Sequence, residues 1–93
     1  SSSELDQKAR RLSVVQPRLT STLLRQTPAT VVVIFIVDEN GRVQDPKVQR
    51  TTNPSFDRSA LSAIKQWKFE PAKVQGRSVS SRLRQSFSFE NNT

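Results

Sequence analysis

Apolar and polar positions along this chain fall into three patterns, and each predicts an element. From Ala29 to Asp38 the sequence is apolar almost without a break, Val31-Val-Val-Ile-Phe-Ile-Val37, which reads as a buried strand. Its odd positions Val31, Val33, Phe35 and Val37 point one way, and the even positions Val32, Ile34 and Ile36 point the other. A strand apolar on both faces is normally central and covered on both sides. The even face is covered either by the N-terminal segment, through Leu12, Val14 or Val15, or by a second copy or a partner. Asn40-Gly41 follows, a strong short signal for a tight hairpin, so the chain doubles back there.

Arg42 to Thr52 is the returning strand. Val43 and Val48 fall on opposite faces under strict alternation, and Pro46 has no N–H for a ladder, so a bulge near Asp45-Pro46 and a position at the sheet edge are expected. Helical spacing then takes over. Asn53 or Ser55 caps a helix, with Asp57 at the positive end of its dipole. Phe56, Ala60, Ile64 and Trp67, with Leu61 beside them, form a stripe facing the sheet, while Arg58, Ser62, Lys65 and Gln66 face water. Trp67 is core in this reading. Phe69 continues the packing, Pro71 ends it, and Val74 to Ser78, with a bend at Gly76, leads to the last strand.

That strand, Val79 to Glu90, alternates between Val79, Leu83, Phe87 and Phe89 on one face and Ser80, Arg82, Arg84, Ser86 and Ser88 on the other, with Ser81 and Gln85 as weak positions. A right-handed crossover through the helix carries the chain past the first strand and places the third on its far side. The expected fold is α+β: a three-stranded antiparallel sheet in the order second, first, third, with two helices packed mainly on one face. The third strand is then an open edge.

The start of the chain is less patterned. Residues 1–16 read as a linker remnant or as a short helix from Glu4 to Leu12, with Leu5, Ala9 and Leu12 on one side, Ser3 as cap and Asp6 closing a capping box. Pro17 fits the first turn of a second short helix, whose Leu19, Leu23 and Leu24 pack on the sheet until Pro28 stops it.

Composition excludes several kinds of chemistry. Ninety-three residues make one domain with one modest core. The longest apolar stretch is too short to cross a bilayer, so these residues are expected to be soluble, with any anchor outside them. The chain has neither Cys nor His; disulfides, thiolate chemistry, the usual general base and the commonest metal ligand are all missing. The Ser residues therefore have no His partner, and there is no Gly-rich loop or carboxylate cluster, so the expectation is no enzyme, no cofactor and no metal. Fifteen basic against eight acidic residues give a net charge of +7, which suits a polyanion, an acidic peptide or a negatively charged surface. The basic residues are scattered from Lys8 to Arg84, as on a solvated surface.

The series Val31-x-Val33-x-Phe35-x-Val37-x-x-x-Gly41-x-Val43, then Phe56-Asp57-x-x-Ala60-Leu61-x-Ala63-Ile64-x-x-Trp67-x-Phe69-x-Pro71-Ala72, then Gly76-x-x-Val79 and Phe87-x-Phe89, resembles the C-terminal domain of TonB-type energy transducers. The resemblance spans Val31 to Phe89, about two-thirds of the chain. Its most specific element is the helical stripe ending in Trp-x-Phe-x-Pro-Ala. It implies a TonB-like domain over residues 17–93, periplasmic, and tethered by a linker to an inner-membrane helix. It further implies binding to the TonB box of an outer-membrane transporter, and transmission of force from inner-membrane proton-channel motor proteins for uptake of cargo such as iron, siderophores or haem.

In this family the box pairs with the exposed edge of the last strand. Carried onto this sequence, that edge is Ser80, Ser81, Arg82, Leu83, Arg84, Gln85, Ser86, Phe87, Ser88 and Phe89. Many members also carry Gln-Tyr-Pro before the first helix, in contact with the box; here the place reads Val15-Gln16-Pro17, which makes Gln16 and Pro17 candidate contacts without the Tyr. The spacing from Pro17 to Phe35 is longer than usual, and Thr27-Pro28-Ala29 replaces the common Glu-Gly. These departures suggest a divergent transducer serving a narrow set of transporters.

Elementary physics supports the same edge. An unpaired strand offers amide and carbonyl groups that an extended peptide completes by β-augmentation. Four or five hydrogen bonds at about 1 kcal/mol each, less the cost of ordering the peptide, give moderate and reversible affinity. Arg82 and Arg84 either favour acidic residues in the guest or serve as edge-protecting charges. The alternative family is a TolA-like envelope adaptor that binds other envelope proteins, and the Trp-x-Phe-x-Pro-Ala element speaks against it. A nucleic-acid partner is not expected, because Phe35 shares the helix-covered face and is unavailable for base stacking. A homodimer is possible, since an open edge and an apolar strand face both invite self-association.

Overall fold

The computed structural model describes residues 7–91, and its central element is the strand that the apolar run predicts. The order of elements is β1 (Arg10–Ser13), α1 (Ser21–Leu24), β2 (Ala29–Val37), β3 (Val43–Thr51), a 3-10 turn (Pro54–Phe56), α2 (Asp57–Lys65), β4 (Lys68–Glu70), β5 (Ala72–Val74), β6 (Arg77–Val79) and β7 (Ser81–Phe89). β2 lies between β3 and β7 in an antiparallel sheet of order β3-β2-β7. This is the expected order, with β2, β3 and β7 as the first, second and third strands. β1 with β4, and β5 with β6, form two further antiparallel pairs.

The inner face of β2 carries Val31, Val33, Phe35 and Val37, all buried, against Phe56, Ala60, Ala63 and Ile64 from the 3-10 turn and α2. Phe56 and Ile64 have no exposed surface; complete burial of side chains this size contributes about 1.5–3 kcal/mol each. Asn53 begins the segment, its Oδ1 accepting from Ser55 N at 3.0 Å, and Asp57 sits in the first turn of α2. Trp67 lies just past the helix, 5% exposed, and completes the core with Phe69, Phe87 and Phe89.

β3 carries the expected bulge. Ile34 faces Lys47 and Ile36 faces Gln44, so Asp45 and Pro46 together oppose a single residue, and Asp45 adopts φ +50°. The extra residue reverses the alternation. Val48 lies opposite Val33 and Val43 opposite Val37, so both valines pack on the core. A second irregularity, between Val32–Arg50 and Val33–Val48, leaves Gln49 unmatched.

The hairpin joining β2 to β3 uses a three-residue loop, Glu39 to Gly41, in place of a two-residue Asn-Gly turn. Gly41 N donates to Asp38 O and Asp38 N to Arg42 O, both at 2.9 Å, with positive φ only at Gly41 in this loop. A Cβ on Gly41 would lie 1.9 Å from the carbonyl oxygen of Phe69. That approach lets Gly41 O accept from Phe69 N at 2.9 Å and fastens β4 to the hairpin.

Four expectations need correction. Residues 10–12, the end of the proposed N-terminal helix, lie in strand β1, because Arg10 and Arg11 find ladder partners in Glu70 and Phe69; the parts of that reading at Ser3, Leu5 and Asp6 lie outside the described residues. The next helix starts at Ser21, capped by Thr20 Oγ1 accepting from Leu23 N at 3.2 Å, with Pro17 ahead of it. Val79 to Glu90 is two strands, broken at Ser80, because Gln75 and Gly76 both take positive φ and fold β5 against β6 as a hairpin. The N-terminal segment does not cover the even face of β2: Val15 packs on the inner core while Leu12 and Val14 are exposed. Cross-strand neighbours flank that face instead. Val32 sits between Arg50 and Ser86, Ile34 between Lys47 and Arg84, and Ile36 between Gln44 and Arg82, so long cationic stems border an apolar stripe of which Ile34 is the most open, at 36%.

Candidate functional site

β7 runs against β2 in nine successive pairs, from Ala29–Phe89 to Val37–Ser81, with no bulge. Its other flank has no ladder partner among the described residues. Phe87 and Phe89 turn inward and are buried, Leu83 and Gln85 are half-buried, and Arg82, Arg84, Ser86 and Ser88 are exposed on the outer face. Ser80 lies outside the strand. The edge is therefore Ser81 to Phe89, regular and continuous. One of its carbonyls, Ser86 O, accepts from Gln85 Nε2 at 2.8 Å.

Opposite the edge lies the N-terminal arm. A groove runs between them, bordered by Arg11, Val14, Gln16, Pro17 and Leu19 on the arm, by Gln85 to Phe89 on β7 and by Glu90 just past it, with Trp67 also in its lining. The structure thus brings Gln16 and Pro17 beside the same stretch of β7 that the sequence singled out. Arg11, Val14, Leu19, Trp67 and Glu90 also border it, and pattern reading missed them in this role. For Trp67 a signal existed, since it closes the helical stripe at the end nearest the last strand. For Arg11 and Val14 none did.

Beyond the β1–β4 ladder, side-chain contacts hold the arm. Arg10 pairs with Glu70, and Gln7 Nε2 donates to Glu70 Oε1 at 2.9 Å and to Pro71 O at 3.1 Å. These donors hold the Glu70 carboxyl below its ordinary range, Arg10 most and Gln7 next. Further along, the Trp67 indole N–H donates to Val15 O at 2.9 Å. Arg11 lies over the same indole, its guanidinium carbon 5.9 Å from the ring centroid, as a cation–π contact. On its other side Trp67 meets Phe87 of β7 nearly edge-on, at 5.6 Å and 78°.

An open strand edge offers main-chain N–H and C=O groups with which an extended chain can pair by β-augmentation. Arg82 and Arg84 place positive charge on the outer face of β7. Among the described residues no group of three or more His, Cys, Asp or Glu is placed to hold a metal ion, and no helix is long and apolar enough to cross a membrane.

The comparisons agree with this architecture. A family model described as Gram-negative bacterial TonB protein C-terminal matches residues 23–90. Protein TonB of Xanthomonas campestris pv. campestris, from two strains, is 35% identical over 60 residues, covering 63% of this chain and 27% of the relative. The chain thus spans about a quarter of the length of the curated relatives it matches. The solution NMR structure of the Pseudomonas aeruginosa TonB CTD has the same fold, with a TM-score of 0.78 and 24% identity over 95% of this chain and 91% of that one.

Proposed function

Since this chain belongs to the family of Gram-negative TonB C-terminal domains, we propose that it binds the TonB box of an outer-membrane transporter along β7 and passes force to it. The observation that carries the reading is the bulge-free flank of β7, without a ladder partner among the described residues, across from the tethered arm. The guest adds a strand beside Ser81–Phe89, and Gln16 and Pro17 flank it from the arm. The domain works in the periplasm, joined through a preceding segment to an inner-membrane helix and to proton-channel motor proteins. Pulling on a bound strand along its length loads its ladder bonds together, so a few hydrogen bonds of about 1 kcal/mol each resist force while allowing release between cycles.

Titration of the isotope-labelled domain with synthetic peptides from transporter N-termini tests this. Amide shifts confined to Ser81–Phe89 and to the arm around Gln16 are expected. Shifts confined to the Val32, Ile34 and Ile36 face, or none with any such peptide, overturn it.

A further inference from the structure

We infer that Trp67 is a positioning residue for the guest strand, its indole N–H holding the arm in place as the second wall of the groove. This rests on the peptide-binding reading above.

A buried indole N–H normally takes a hydrogen-bond partner. Trp67 is 5% exposed, and its partner is a backbone carbonyl far away in the sequence, that of Val15, immediately before Gln16-Pro17. Between the end of β1 at Ser13 and the cap at Thr20, only two hydrogen bonds among the described residues tie the arm's backbone to the domain. One is Trp67 to Val15 O, and the other is Ser59 Oγ to Arg18 O. The Trp67 bond is the one that borders β7. The ring making it touches Phe87 on the edge strand and lies under Arg11 on the arm. One side chain therefore sets the separation of the two walls. With the N–H removed, Val15 O loses its partner, Gln16 and Pro17 move more freely, and binding must order them again at an entropic cost.

The test replaces the Trp67 indole by benzothiophene, which keeps the bicyclic shape and removes only the donor; Trp67→Phe is the genetic counterpart, and Ser59→Ala loosens the arm at its other tie. Two quantities are read: backbone order parameters from amide relaxation of Val14, Val15, Gln16 and Arg18 in the free domain, and affinity for a transporter N-terminal peptide. The expected result is lower order on the arm, unchanged order and amide exchange in β2 and β7, and affinity lower by roughly three- to tenfold, the value of one hydrogen bond. Loss should appear mainly as faster dissociation. Unchanged arm order overturns the inference, as does a released arm with unchanged affinity; in both cases binding by the unaltered domain leaves the functional reading standing. Failure of the unaltered domain to bind any peptide sinks the functional reading, and with it this role for Trp67.

Discussion

The two edges of the sheet are built in opposite ways. β3 is interrupted twice, carries Pro46 and Asp45 at positive φ, and places Lys47 and Arg50 beside the central strand. β7 has the same length, no proline, no bulge and unbroken register with β2. Bulges, prolines and lysines are the usual means of stopping one sheet edge from pairing with another chain. Only β3 has the full set. Both edges flank the same apolar strand, so the contrast lies in the edges themselves, and it fits the docking proposed for β7.

Moving proline to the open edge breaks the contrast most directly. In an antiparallel edge strand alternate N–H groups point to the neighbour and to solvent, so Arg84→Pro and Gln85→Pro should separate. The variant whose N–H serves β2 loses a ladder bond and leaves its acceptor unpaired, a cost of about 1–3 kcal/mol, read as a lowered melting temperature. The other keeps its fold and loses about tenfold in peptide affinity, from one guest hydrogen bond and the ring's bulk. Equal binding by a folded proline variant would remove β7 as the docking edge.

Charge is a smaller lever. Arg82→Glu and Arg84→Glu should each weaken binding of a peptide with acidic residues by a few-fold at low salt, the size expected of exposed pairs, and the deficit should vanish as salt rises. Lys47→Glu, on the far edge, leaves binding within error if the guest sits on β7. Calorimetry at two ionic strengths distinguishes these cases. A deficit for Arg82 and Arg84 that persists in high salt assigns them a packing role in place of a charge role.

Much of this contrast was legible in the residues. The apolar run of β2, the stripe Phe56-Ala60-Ile64 and the misfit of Val43, Val48 and Pro46 lead to the strand order and to the bulge, because burial imposes a period on the sequence wherever a whole face is covered. The short pairs were not legible. β1 and β4 owe their pairing to Glu70 receiving Arg10 and Gln7 from far along the chain, and three- or four-residue strands leave too few positions for a period to show. The β5–β6 hairpin turns on Gln75 at φ +50°, which no side-chain preference announces. The groove was half legible. Its edge follows from alternation in β7, whereas its second wall depends on an indole bonded to a backbone carbonyl, and that carbonyl has no residue identity to read.

Restoring the blunted edge is a third way to sharpen the comparison. Pro46→Thr returns an N–H to β3 and leaves the bulge at Asp45 in place, so the gain in pairing capacity is limited. The expected outcome is a slight rise in self-association, seen by sedimentation at several concentrations, with peptide affinity unchanged. A strong dimer would mean that Pro46 alone protects β3; no change at all would assign the protection to the bulges.

Acid separates the two sides by the smallest margin. Asp38 governs the turn into β3, where its Oδ1 accepts from Asn40 N and Arg42 N and its Oδ2 from Gln44 Nε2, each at 2.9 Å. Gln44 and the Arg42 N–H hold its carboxyl below the ordinary range. Glu70, depressed by Arg10 and Gln7, holds the arm beside β7. A carboxyl with a lowered pKa in the fold stabilises it above the unfolded-state pKa, and that contribution fades as pH falls through the folded value. Both ties should therefore weaken on acidification below the ordinary carboxylate range, with different readouts. Protonating Glu70 speeds exchange in β1 and β4 and weakens peptide binding, while protonating Asp38 loosens residues 38–44 and leaves binding intact. Glu70→Gln should reproduce the first at neutral pH, and Asp38→Asn the second. Loss of peptide binding in Asp38→Asn would show that the two edges are coupled through β2 and do not act independently.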